Sequence, residues 1–146
     1  MKMVDISSKE ITKREALAEG IVYIKPQVIR LIKEKRIPKG DVLEAARFAG
    51  ILAAKKTPEI IPLCHPIPVE SVEIEFILKN KEIRITAALK GEAKTGFEME
   101  ALSAAAIAAL TIYDMCKPFD KDIVISGIKL LRKSGGKSGT YIRKLK

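Results

Sequence analysis

Two hydrophobic periodicities divide this chain. Val72, Ile74, Phe76 and Leu78 alternate with Ser71, Glu73, Glu75 and Ile77, which predicts a strand over 69–78 with one buried face. Asn80 and its charged neighbours form a turn, and Ile83 to Leu89 predicts a second strand, so the pair reads as a hairpin. Elsewhere the spacing is helical. Pro26 suits a first helical turn, and Val28, Ile29, Leu31 and Ile32 give that helix an apolar stripe that Pro38 ends. Asp41 is placed to cap a second helix, from Val42 to about Thr57. Its Val42, Leu43, Ala46, Ala49, Gly50 and Ala53 form a face small enough for close approach. Ile21 to Lys25 predicts a short strand, and Asp122 to Leu131 another with Gly127 at a bulge. The glycine-rich tail is expected to end in a short strand. Residues 1–20 carry the weakest pattern: Thr12-Lys13-Arg14-Glu15 has capping-box spacing, but Gly20 follows too soon for more than a turn or two.

The most apolar element lies between Thr95 and Lys117, TGFEMEALSAAAIAALTIYDMCK, with Thr95-x-x-Glu98 as a capping box at its start. A helix that is hydrophobic on every side is buried in a core, at a subunit interface or in a membrane. Its uninterrupted apolar run, Ala104 to Leu110, is 7 residues and is flanked by Glu100 and Asp114. A bilayer asks for about 20. No membrane partner is therefore expected. Thr57 to Pro68, TPEIIPLCHPIP, holds prolines at 58, 62, 66 and 68, which excludes a helix and predicts a stiff extended loop. Strands and helices are mixed, without internal repeat or linker, so residues 1–146 are expected to form a single α+β domain with helices on one face of an antiparallel sheet.

Composition narrows the partners. A net charge of +9 favours anionic ligands, from nucleic acid to phosphorylated metabolites. With 5% aromatic residues and no Trp, stacking platforms for nucleic acid are poorly supplied, and a nucleic-acid-binding domain is the weaker reading. MKMVDISSKE lacks the apolar core of a signal peptide, which points to the cytoplasm. Cys64 and Cys116 lack CxxC spacing and do not suggest a disulfide framework. With His65 they supply three of the four donors a structural zinc requires, so a carboxylate would have to complete such a site.

The chemistry-bearing residues gather at a few places. His65 is the only histidine, and Pro62 and Pro66 stiffen the backbone that presents it. It is either a structural side chain or a rigidly held acid/base or phosphate-binding group. The capping box explains Glu98, whereas Glu100, about 200° further round the axis, has no such role. Asp114 and Lys117 share a face and could simply pair. Glu100 and Asp114 stand 14 positions apart, roughly 21 Å along a helix. One small molecule cannot touch both ends, so two copies of the chain are expected to complete each other's pocket. Ser134 to Gly139, SGGKSG, lacks the first glycine of a Walker loop, since Leu131 stands there. It retains glycines flanked by Lys133 and Lys137, either a plain surface turn or a cradle for an anion. Lys39-Gly40-Asp41 is similarly either a plain cap or a phosphate contact.

Together, KKTPEIIPLCHPIP, GEAKTGFEMEAL, ALTIYDMCKPFDK and LLRKSGGKSG closely resemble the signatures of the MoaC family of molybdenum cofactor biosynthesis. MVDIS, TKREALAEG and KGDVLEAARFAGILAAK resemble the same family, in order, over nearly the whole chain. The resemblance implies a ferredoxin-like α+β subunit in a hexamer, a trimer of dimers with sites at the dimer interface. It also implies a lyase reaction in which 3′,8-cyclised dihydro-GTP becomes a pterin bearing a cyclic phosphate, with loss of pyrophosphate. The implied catalytic residues are Asp114, Lys117 and Lys133. The implied substrate-binding residues are Lys39, His65, Glu98, Met99 and Glu100, to which Cys64, beside His65, and Lys137, as a cation for the triphosphate, are added as candidates. No resident metal and no required cofactor are implied, with magnesium left open as a companion of the triphosphate.

Overall fold

The computed structural model describes residues 1–144. Its central strand lies where the sequence pattern was weakest. β1 spans Thr12–Tyr23 and pairs with a strand on each side. Arg14, Ala16, Ala18, Gly20 and Val22 alternate toward the helices and are all buried, so the segment read as one or two helical turns is a long strand. A helix lies directly on this face: a Cβ at Gly20 would already touch the Ala105 carbonyl at 3.6 Å and press on the Ile128 side chain at 2.8 Å, so small inward residues leave room for the helix. Alanine and glutamate, common in helices, hid the period of two.

α1, Pro26–Lys33, opens on its proline and buries Val28, Ile29 and Ile32. It stops short of Pro38, because Lys35 adopts a positive φ of 55°. α2, Val42–Ile60, is capped as expected, the Asp41 carboxylate accepting from the Glu44 amide at 3.2 Å. It runs through Pro58 to Ile60. The proline-rich segment is therefore helical at its start and irregular from Ile61 to Glu70. Only the last turn has to accommodate the missing N–H, and the Thr57 hydroxyl donates back to the Ala53 carbonyl at 2.7 Å.

β2, Ser71–Leu78, and β3, Glu82–Ala93, form the expected hairpin, with Val72 facing Leu89 and Ile74 facing Ala87. α3, Glu98–Cys116, follows, then β4, Val124–Ser134, and β5, Tyr141–Ile142. The β1–β4 register shifts between Glu19 and Ile21, opposite Gly127, whose φ of 62° accommodates the predicted bulge. The sheet order is β2-β3-β1-β4-β5, and every pairing is antiparallel. With a helical crossover before β2 and another before β4, this is the ferredoxin-like arrangement, extended by α1 and β5.

α3 is the centre of the core. Ala101, Ala104, Ala105, Ala108, Ala109 and Ile112 are fully buried against the sheet and α2. A Cβ at Gly50 would meet the Ala104 carbonyl at 3.0 Å and overlap Ile74, so α2 reaches α3 only because glycine stands there. By length and composition α3 matches a membrane-crossing helix, yet half of that span is buried inside this fold.

Candidate active site

The start of α3 differs from the expected capping box. The N-cap is Phe97, wholly buried, and no side chain caps the helix. Glu98 folds back across Gly96 instead, where a Cβ would collide with its carboxylate. Its Oε1 lies 3.0 Å from Lys133 Nζ. Lys133 reaches it because it pairs with Ala16 in the β1–β4 ladder and so shares the helix-facing side of the sheet. Glu98 is thus free of the structural duty that the sequence suggested.

Glu100 points into protein. It is 1% exposed, its Oε2 lies 3.5 Å from Cys64 Sγ, and its Oε1 is buried without a hydrogen-bond partner among the described residues. Burial pushes its carboxyl above the usual range, and the charge of Glu98 pushes the same way. The neighbouring thiol responds in kind. Burial first, then the Glu100 charge, raises Cys64 to about 11, so it stays protonated at neutral pH and can donate to the carboxylate. His65 follows on the irregular segment, half-buried, with Nε2 2.7 Å from the Val4 carbonyl. Met99, 38% exposed, lies in the same first turn of α3.

The other end of α3 carries a second cluster. Asp114 lies 2.9 Å from Lys39 Nζ and 3.2 Å from Lys117 Nζ, and Lys39 also donates to its backbone carbonyl at 3.1 Å. Lys39 belongs to the turn before Asp41, so the cap of α2 delivers it there. The two lysines, Lys39 first, hold the Asp114 carboxyl below its ordinary value. This group is a carboxylate at neutral pH, suited to accept a proton or steer an ammonium group. α3 runs unbroken between the clusters, and 14 residues at 1.5 Å keep Glu100 and Asp114 roughly 21 Å apart. Within one chain Cys64 and Cys116 are likewise held at opposite ends of α3, so the two thiols do not meet.

The sequence profile of the MoaC family matches residues 3–136. The chain belongs to that family. It is 54% identical over 146 residues to the cyclic pyranopterin monophosphate synthase of Thermoanaerobacter sp. (strain X514), covering 99% of this chain and 92% of that one. It is also similar to the enzymes of the same name from Brevibacillus brevis, 50% identical over 97% of this chain and 89% of that one, and Streptomyces griseus subsp. griseus, 50% identical over 97% and 80%. In this MoaC-family chain every candidate residue but Lys137 falls inside the matched span.

Lys137 is exposed beyond the Gly135-Gly136 turn, lining a hollow of about 400 Å³ with Lys9, Glu10, Thr12 and Arg14. Arg14 is the residue that sequence reasoning missed. It is 7% exposed, donates to the Thr12 hydroxyl at 3.1 Å and the Lys94 carbonyl at 3.3 Å, and has no carboxylate partner among the described residues. Gly135 and Gly136, with φ of 100° and 76°, fold the turn directly over it. Its signal was available in the strand period: Arg14 is the one charged residue on the inward face of β1 from Arg14 to Val22.

Proposed function

We propose that this chain is a cyclic pyranopterin monophosphate synthase, converting 3′,8-cyclo-7,8-dihydro-GTP to cyclic pyranopterin monophosphate with release of pyrophosphate. The observation that carries the reading is the pair of charged clusters on one buried helix, in a chain about half identical to enzymes of that name. A triphosphate needs cations, and Lys39, Lys117, Lys133, Lys137 and Arg14 supply them. In the phosphoryl step a sugar hydroxyl attacks the α-phosphorus and gives its proton to the Asp114 carboxylate. The bond to the bridging oxygen breaks, and pyrophosphate leaves with the electron pair. Lysine ammonium groups stabilise the charge that builds on the oxygens. Ring opening and reclosure need a proton acceptor and a donor. Asp114, kept ionised by its lysines, serves as the acceptor, and Lys117 and Lys133 exchange protons beside it. Glu98, Met99, Glu100, Cys64 and His65 hold the guanine-derived ring and ribose. The unpartnered Oε1 of Glu100 is suited to accept from a ring N–H.

The working unit in this reading is a hexamer, a trimer of dimers, in which one copy's Lys39–Asp114–Lys117 cluster faces another's Glu100–Lys133 cluster. Phe48 and Leu52 on α2 and Leu110 on α3 are 66%, 41% and 52% exposed, and they offer an apolar surface for a second copy. We place the enzyme in the cytoplasm, without nucleic-acid or membrane partners. Magnesium, where it takes part, arrives on the triphosphate. The test is incubation with the cyclised nucleotide, following pyrophosphate and the fluorescent oxidised pterin. Lys117→Ala and Lys133→Ala chains are then refolded together. One native site in each mixed dimer restores about a quarter of wild-type turnover; no recovery would show that the two clusters belong to separate sites.

A further inference from the structure

The first eleven residues form no regular element, yet they are tied to the candidate site at two points. The Val4 carbonyl lies 2.7 Å from His65 Nε2, and Lys94 Nζ donates to the Ser7 carbonyl at 3.3 Å. The Asp5 carboxylate accepts from the Ser7 amide at 2.8 Å and folds the arm into a tight turn between those points. That amide first, and then the Ser7 side chain, hold the Asp5 carboxyl below its ordinary value. Val4 is 72% exposed and Ile6 is only partly buried, so the two polar contacts are the arm's specific attachments.

A carbonyl oxygen can only accept. The imidazole nitrogen facing it must therefore carry the hydrogen, and in the neutral ring the other nitrogen keeps its lone pair. We infer that the arm Val4–Ser7 is a positioning element of the active site, fixing His65 as the Nε2–H tautomer so that Nδ1 accepts a hydrogen from a sugar hydroxyl or ring N–H of the nucleotide. The inference rests on the proposed reaction for its substrate, but not for the tautomer. It also separates the duties of the cations. A neutral His65 with Nδ1 as acceptor repels phosphate oxygens, which are acceptors too, so phosphate contacts fall to the lysines and Arg14. Pro62 and Pro66 hold the loop side of this arrangement, and the arm supplies the remaining restraint on the ring.

The chain has one histidine, so ¹⁵N-histidine labelling reports on this ring alone. In the ligand-free protein at alkaline pH, the intact chain should show a protonated Nε2 and an unprotonated Nδ1. A chain lacking residues 1–5, or full-length Asp5→Ala, should move both signals toward the averaged values of a mixed tautomer. Turnover gives the second readout. The truncation should lower kcat/KM roughly tenfold, the value of one neutral hydrogen bond, and should have no further effect in a His65→Asn background. Unchanged nitrogen signals, a protonated Nδ1 in the intact chain, or an equal loss in both backgrounds would overturn the proposal. If the intact chain makes no pterin, the proposed function fails, while the nitrogen spectrum still decides the role of the arm.

Discussion

Glu100→Gln should make this protein more stable and less active. Glu100 is 1% exposed, and among the described residues its Oε1 has no hydrogen-bond partner and its Oε2 accepts from a thiol at 3.5 Å. Burial raises its carboxyl above the ordinary 4.5, so the folded chain binds this proton more tightly than the unfolded chain does. The sign of the linkage follows. Stability is undiminished at a pH below 4.5, falls as pH rises through the folded value, and stays reduced above it. A neutral amide escapes that loss. An under-satisfied buried charged group costs at least about 1–3 kcal/mol. At roughly 2–4 °C per kcal/mol for a chain of this size, about 2 kcal/mol raises Tm by roughly 6 °C at pH 8. The gain should shrink at pH 5. Scanning calorimetry at both values checks this, alongside pyrophosphate release, which should fall roughly 10- to 100-fold if Oε1 accepts from the substrate. A variant less stable than wild type at pH 8, or a gain equal at both pH values, would refute the reasoning.

Three further outcomes follow from the two ends of α3. Lys117→Met should abolish product, whereas Lys39→Met should mainly raise KM. Because Lys39 contributes most to holding Asp114 down, its loss should also move the acid limb of the pH–rate profile upward. Arg14→Gln should raise KM about tenfold or more with kcat nearly kept, since a cation with no carboxylate partner acts on a bound anion; an unchanged KM across salt concentrations would count against that role. Cys64 should alkylate slowly at pH 8 and speed up only toward its pKa of about 11; rapid labelling by iodoacetamide at neutral pH would contradict a thiol that donates to Glu100.

The fold was legible wherever side-chain size and period agreed. The hairpin β2–β3, the proline start of α1, the Asp41 cap and the Gly127 bulge each follow from a local rule that nothing in the tertiary structure overrides. β1 was illegible because its inward residues are alanine and glycine. They are small to admit the backbone of α3, a demand set by a helix some eighty residues later in the chain. The same misreading hid Arg14, since without the strand its inward direction could not be seen. Pro58 misled for a different reason: the last helical turn can do without one amide.

At the start of α3, local and tertiary signals conflict, and the conflict bears on chemistry. Thr95-x-x-Glu98 satisfies the pattern of a capping box, and a helix start would gain from using it. The chain buries Phe97 as the N-cap instead, leaving α3 without a side-chain cap and turning Glu98 toward Lys133. One residue pair thereby loses a structural role worth about 1 kcal/mol, and β4 gains an ion pair at the end of the sheet. Glu100, two positions on, carries a buried oxygen with no donor. Both departures from local optimality fall within one turn of helix, next to the loop of Cys64 and His65. A core built for stability alone would place glutamine or leucine at position 100 and cap the helix with Thr95. That this chain does neither is the physical reason to put substrate contacts at this end of α3, while the paired, exposed Asp114 at the other end is kept ready as a charge.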